Sequence, residues 1–133
     1  MWRVWLALIV LVVGGCATGA VRSGPLEPLV VGSEAYLTLD WGAEPRGSLS
    51  VVRGYVTNQS PYTFDHLRVL VDALDPAGAI VAQQLVWSPG LLGGWGRSYF
   101  EASMVPAPTY RARVFSYDRV ETDGRRRPFG PMR

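Results

Sequence analysis

The residues of this chain that could carry chemistry are few, and their spacing limits what that chemistry is. Asp65 and His66 are adjacent, with Ser60 and Ser116 elsewhere, the residue types of a nucleophilic triad. A triad needs a positioned nucleophile and an oxyanion hole, and no Gly-x-Ser-x-Gly elbow is present. Neighbouring side chains on a strand point to opposite faces, so Asp65 and His66 are not expected to work together. Asp72, Asp75 and Asp118 are a second candidate set, for calcium. Asp72 and Asp75 lie an odd step apart and face opposite sides of a strand, so a solvated face and a turn cap account for them better. His66 is the only histidine and Cys16 the only cysteine, which leaves no ligand set for zinc or haem. No cofactor or metal is expected. A hydrolase or metal-dependent enzyme is the weaker functional reading, and a non-catalytic binding module is the stronger.

Three features could bind rather than react. Asn58, at a strand end, is expected to satisfy backbone groups of the turn that follows. The segment from Trp87 to Trp95 sets two Trp and two Leu in or beside a Gly-rich loop. Exposed there, Leu91 and Trp95 would make a contact patch for a partner; alternatively, Trp87 and Leu92 plug one end of the fold. Arg125, Arg126 and Arg127 are either a contact for anionic phospholipid or an acidic partner, or a solvated chain end. The formal net charge of +2 hides an uneven distribution, since residues 17–124 hold 8 Arg against 11 acids, a formal −3. This is a mildly acidic body with a basic tail, not a nucleic-acid surface.

The elements that must position these residues read as short strands between Gly- and Pro-rich breaks. The first is Ala35–Trp41, ended by a break over 42–47. The second, Leu49–Thr57, carries Val52, Gly54 and Val56 on one face and stops at Asn58-Gln59-Ser60-Pro61. The third places Leu67, Val69, Val71 and Ala73 on one face and Arg68 and Asp72 on the other, the period-two pattern of a half-buried strand. Asp75-Pro76-Ala77-Gly78 suits a type I turn, so the next strand, Ile80–Trp87, closes a hairpin. Ser98–Met104 and Tyr110–Val120 follow, with Phe100, Ala102, Ala112 and Val114 inward. Six or seven such strands predict an all-β sandwich over residues 34–122, with Val52, Val56, Val69, Val71, Phe100 and Val114 in its core. Residues 16–33 read as a flexible tether and 123–133 as a basic disordered tail.

The N-terminus opens on Arg3 and an unbroken apolar run, Val4 to Val13, followed by Gly14-Gly15-Cys16. The run is about half the roughly 20 residues a membrane-crossing helix needs, and a basic start with small residues at its end is the secretory pattern. Residues 1–16 resemble a bacterial lipoprotein signal peptide ending in a lipobox. That resemblance implies cleavage after residue 15, lipid on Cys16, and anchoring in the cell envelope. Ala17 follows the cysteine, which in such proteins implies the outer membrane, facing the periplasm. The compartment removes nucleic acid as a partner and points to an envelope protein instead.

The body carries a second resemblance. Gly54-Tyr55-Val56-Thr57-Asn58, the amphipathic strand ending at Asp75, Gly78 in the turn and Phe100 in a later strand resemble the FxLYD-type domains of surface lipoproteins. Val71-Asp72-Ala73-Leu74-Asp75 stands at the naming motif without its aromatic residues, and Gly93-Gly94-Trp95-Gly96 replaces the usual Pro-Gly. The family implies an immunoglobulin-like or fibronectin-like sandwich of about seven strands, and no catalytic residues.

Overall fold

A computed structural model describes residues 24–121 and 126–127. The strands are β1 (Leu37–Arg46), β2 (Leu49–Asn58), β3 (Thr63–Leu74), β4 (Ile80–Trp87), β5 (Arg97–Met104), β6 (Thr109–Val120) and β7 (Arg126–Arg127). All pairings are antiparallel, in one sheet ordered β1-β2-β5 and another ordered β4-β3-β6-β7. The chain therefore forms an all-β sandwich, and its crossings from β2 to β3, β4 to β5 and β5 to β6 give the immunoglobulin-like arrangement. Tyr110, at the start of β6, reaches back to the preceding loop: its hydroxyl donates to the Val105 carbonyl (2.8 Å) and accepts from the Ala107 N–H (2.9 Å). Such a tyrosine corner pins the loop before the corresponding strand in many sandwiches.

Alternation of apolar side chains builds the core. Val52 and Val56 of β2, Val69, Val71 and Ala73 of β3, Phe100 and Ala102 of β5, and Val114 of β6 all point between the sheets, as their spacing predicts. Phe64 and Tyr117 close one end, edge to face at 4.8 Å. Gly54 is required by packing: a Cβ there would strike the Asp40 carbonyl and the Trp41 backbone of β1. The β3–β4 hairpin turns as its residues dictate, with the Gly78 N–H donating to the Asp75 carbonyl (2.9 Å) and Gly78 at φ +84°.

Three segments depart from the sequence reading. β1 begins two residues later and runs through the predicted break to Arg46, pairing Pro45 with Ser50. The reason is position, because β1 is an edge strand and an edge tolerates a proline whose missing N–H would face outward. The turn is at Gly47 (φ +61°) instead. Second, part of the segment read as tether is held against the sandwich. The Leu26 N–H donates to Gln83 Oε1 (2.8 Å), and the Leu26 carbonyl accepts from Gln83 Nε2 (3.0 Å). Farther along, the Leu29 N–H donates to the Phe115 carbonyl of β6 (2.8 Å). We call residues 26–30 the strap. Third, Arg126 and Arg127, within the predicted tail, pair with Val120 and Arg119, because the outer edge of β6 offers unpaired backbone there. Residues 1–23, with Cys16 and the predicted signal segment, lie outside the described residues, as do Arg125 and residues 128–133.

Candidate functional site

The calcium candidates are dispersed, and the candidate catalytic residues are only partly brought together. Ser60 is buried, and its hydroxyl donates to Asn58 Oδ1 (2.6 Å). Asn58 itself is fully buried; its amide donates to the carbonyls of Tyr62 (2.6 Å) and Gly93 (3.0 Å), and its Oδ1 also accepts the Ser60 N–H. It ties the β2–β3 turn to the loop before β5, which extends its expected turn-capping role. Ser116 accepts from Arg68 Nε (2.8 Å). Asp75 caps its turn, its Oδ1 accepting from the N–H groups of Ala77 and Ala79.

Two expectations are corrected. Asp65 and His66 do meet on one side, because the β3–β6 register shifts between Asp65 and Arg68 and His66 takes φ +49°. A bulge breaks the strict alternation. His66 Nδ1 lies 2.9 Å from Asp118 Oδ2 and 3.7 Å from Asp65 Oδ2. Ser60 is held by Asn58, whereas Ser116, which accepts from Arg68, lines the same groove as His66 and Asp118. Asp72 is not on a solvated face: it is 0% exposed. Its Oδ2 accepts from Arg111 (2.8 Å) and Arg113 (2.9 Å), and its Oδ1 from Gln83 Nε2 (2.8 Å). The same Gln83 holds Leu26, and Arg113 also reaches Glu27 (3.0 Å). A buried carboxylate so enclosed is the hub that fastens the strap. Asp72, Asp75 and Asp118 thus sit in three different environments, and among the described residues no group of acids and histidine is arranged to hold a metal.

The remaining candidates divide between the inside and the outside. Leu92 is buried and bridges Phe64, so it is the plug of this end. Trp87 is not a plug; it is 59% exposed and packs beside Arg68, 5.3 Å from the guanidinium carbon to the ring centroid. Leu91 is 65% and Trp95 72% exposed. Trp95 also stands at φ +63° within the turn closed by the Gly96 N–H on the Gly93 carbonyl (3.1 Å). A left-handed conformation is unfavourable for a bulky residue and usual for glycine or asparagine at such a turn. The Trp95 N–H donates to the Ser60 carbonyl (3.2 Å), which fixes the loop against the β2–β3 turn. Leu91 and Trp95 thus continue outward from β4, a sheet edge of eight residues without charge or proline.

On the opposite sheet, the Tyr99 hydroxyl donates to Glu101 (2.6 Å) and Arg46 pairs with Glu101 (3.3 Å). The tyrosine hydrogen bond, and then the Arg46 charge, hold the Glu101 carboxyl below its ordinary range, and the same hydrogen bond raises Tyr99. These groups are exposed and make a structural ladder. No family model, curated protein or solved structure matches this chain, so the reading of its surface rests on its own residues.

Proposed function

We propose that this protein is a lipid-anchored envelope module that binds another protein through the β4 edge and the loop bearing Leu91 and Trp95. The anchor is Cys16, in the outer membrane and facing the periplasm; the lipobox-like Gly14-Gly15-Cys16 after an apolar run supports it. The binding surface is carried by one observation. Trp95 combines an unfavourable backbone conformation with 72% exposure of the largest apolar side chain type. Strain at an exposed residue motivates a functional reading, since folding alone gains nothing from it. The adjoining edge lacks the charges and prolines with which natural edges discourage pairing. A partner contributing an extended strand would pair with β4 and bury Leu91 and Trp95, the mode in which backbone bonds give affinity and side chains give specificity. The non-catalytic reading is supported by the engagement of Ser60 with Asn58 and of Ser116 with Arg68.

Trp95→Ala tests this. Partner capture from membranes should fall several-fold while the thermal midpoint of the protein moves little, because the side chain is mostly in solvent. Capture retained alongside a midpoint lowered by several degrees would show that Trp95 serves the fold and would defeat the docking reading.

A further inference from the structure

We infer that the groove between Trp87 and the strap binds a small ligand bearing a single carboxylate, which Arg68 receives. The groove has a volume of about 440 Å³, and Leu29, His66, Arg68, Trp87, Ser116 and Asp118 line it; that is within the range of small-molecule sites.

Arg68 is built for a ligand. Its Nε is used on Ser116, and its guanidinium lies 5.3 Å from the Trp87 ring centroid and 5.0 Å from that of Phe115. These contacts fix the guanidinium's position while leaving its two terminal nitrogens with no partner among the described residues. Arg46, Arg53, Arg111 and Arg113 each reach a carboxylate; Arg97 and Arg119 lie over the Tyr55 and Tyr62 rings, and among the described residues Arg68 alone of the arginines without a carboxylate lines the groove. A planar guanidinium with two parallel N–H groups matches a carboxylate fork, a match that an ammonium does not offer. The groove also sets the charge of the ligand. Asp118 lies in the same wall, so a second negative charge, as on phosphate, would meet a like charge at short range. The exposed face of Trp87 takes the body of the ligand, by stacking on a sugar ring or on an aromatic one. A uronic acid and an arylacetic acid therefore share the recognised chemistry. None of this depends on the anchor or on the β4 edge.

Fluorescence titration of the full-length chain decides it, with glucuronate and phenylacetate each compared with an uncharged counterpart, glucose and phenylacetamide, and with inorganic phosphate. At least one acid should bind tenfold or more tightly than its counterpart, and more tightly than phosphate; which acid does so identifies the body. Arg68→Gln should erase that preference, and Trp87→Ala should weaken binding of the acid without erasing it. Arg68→Lys keeps the charge but loses the fork, and should lose most of the preference; it serves as the arbiter if the Gln variant does not fold. Equal binding of acid and uncharged counterpart, tighter binding of phosphate, or a preference that survives in a folded Arg68 variant would overturn the inference.

Discussion

At the scale of single residues, Asp72 departs most from what its neighbours in sequence suggest. Alternation puts it on the outer face of β3, beside Arg68, and outer faces are ordinarily wet. It is dry because Arg111, Arg113 and Gln83 close over it. Truncating one member of a buried pair leaves the partners uncompensated, typically at a cost of about 3–5 kcal/mol. Asp72→Ala should therefore destabilise the domain by roughly 3 kcal/mol, whereas Asp75→Ala, in an exposed turn, should cost about 1 kcal/mol. Chemical denaturation of both variants checks the contrast; equal losses would mean that Asp72 is not the hub. Glu101 gives a pH signature of opposite kind. Its folded value lies below its unfolded one, so its contribution is present above the unfolded value and is lost as the pH falls through the folded value. In a carboxyl-detected NMR titration, Tyr99→Phe should move the Glu101 midpoint upward, since the tyrosine hydrogen bond is the largest cause. An unmoved midpoint would assign the shift to Arg46 instead.

At the scale of elements, the hairpin of β3 and β4 was legible because three local signals agree: alternation from Leu67 to Ala73, the Asp75-Pro76-Ala77-Gly78 turn, and a return of similar length. The boundaries of β4 follow the pattern to the residue. The end of β1 was not legible, because Gly42 and Pro45 are breakers in general and acceptable on an edge, and edge position is a tertiary fact. Bulges are equally invisible in a linear pattern, and the one after Asp65 is what brings His66 to Asp118. Tyr110 carried a signal, an aromatic residue opening a strand after Val105-Pro106-Ala107-Pro108, though composition does not reveal that its hydroxyl holds that loop. The strap is the least legible element. Its Pro and Leu, among flanking glycines, read as linker, and its bonds come from Gln83 and Phe115, more than fifty residues away. Gln83→Ala removes both side-chain bonds to Leu26 and one to Asp72. It should expose the amide of Leu26 to fast hydrogen exchange and make the peptide near Leu26 sensitive to limited proteolysis, with β2 and β5 still protected. Unchanged exchange at Leu26 would mean that Leu29 and Glu27 suffice to hold the strap.

At the scale of the whole molecule, the strap changes how the domain would relate to a membrane. A tether running to residue 33 could extend roughly 56 Å. With the chain fastened at Leu26, nine residues separate that point from Cys16, and the stretch spans at most about 33 Å. The fastening is on the outer face of the β4-β3-β6 sheet, so a lipid on Cys16 would leave the domain from that face. The β4 edge and the Trp95 loop would then stand within reach of partners in or near the same membrane. This arrangement depends on the proposed anchor, which would depend on one atom, the Cys16 sulfur. Cys16→Ala would remove the proposed acceptor of the lipid and the residue at which lipoprotein cleavage is expected, and should leave the sandwich untouched. The variant should therefore accumulate as an unprocessed or a soluble species of unchanged thermal stability. Several acyl chains at one residue hold a protein firmly, at about 0.8 kcal/mol per buried methylene, so the shift between membrane and soluble fractions should be large. A Cys16→Ala protein of mature size that stays in the membrane fraction would remove the lipid anchor. The sandwich, the buried Asp72 and the Arg68 groove would then have to be explained without it.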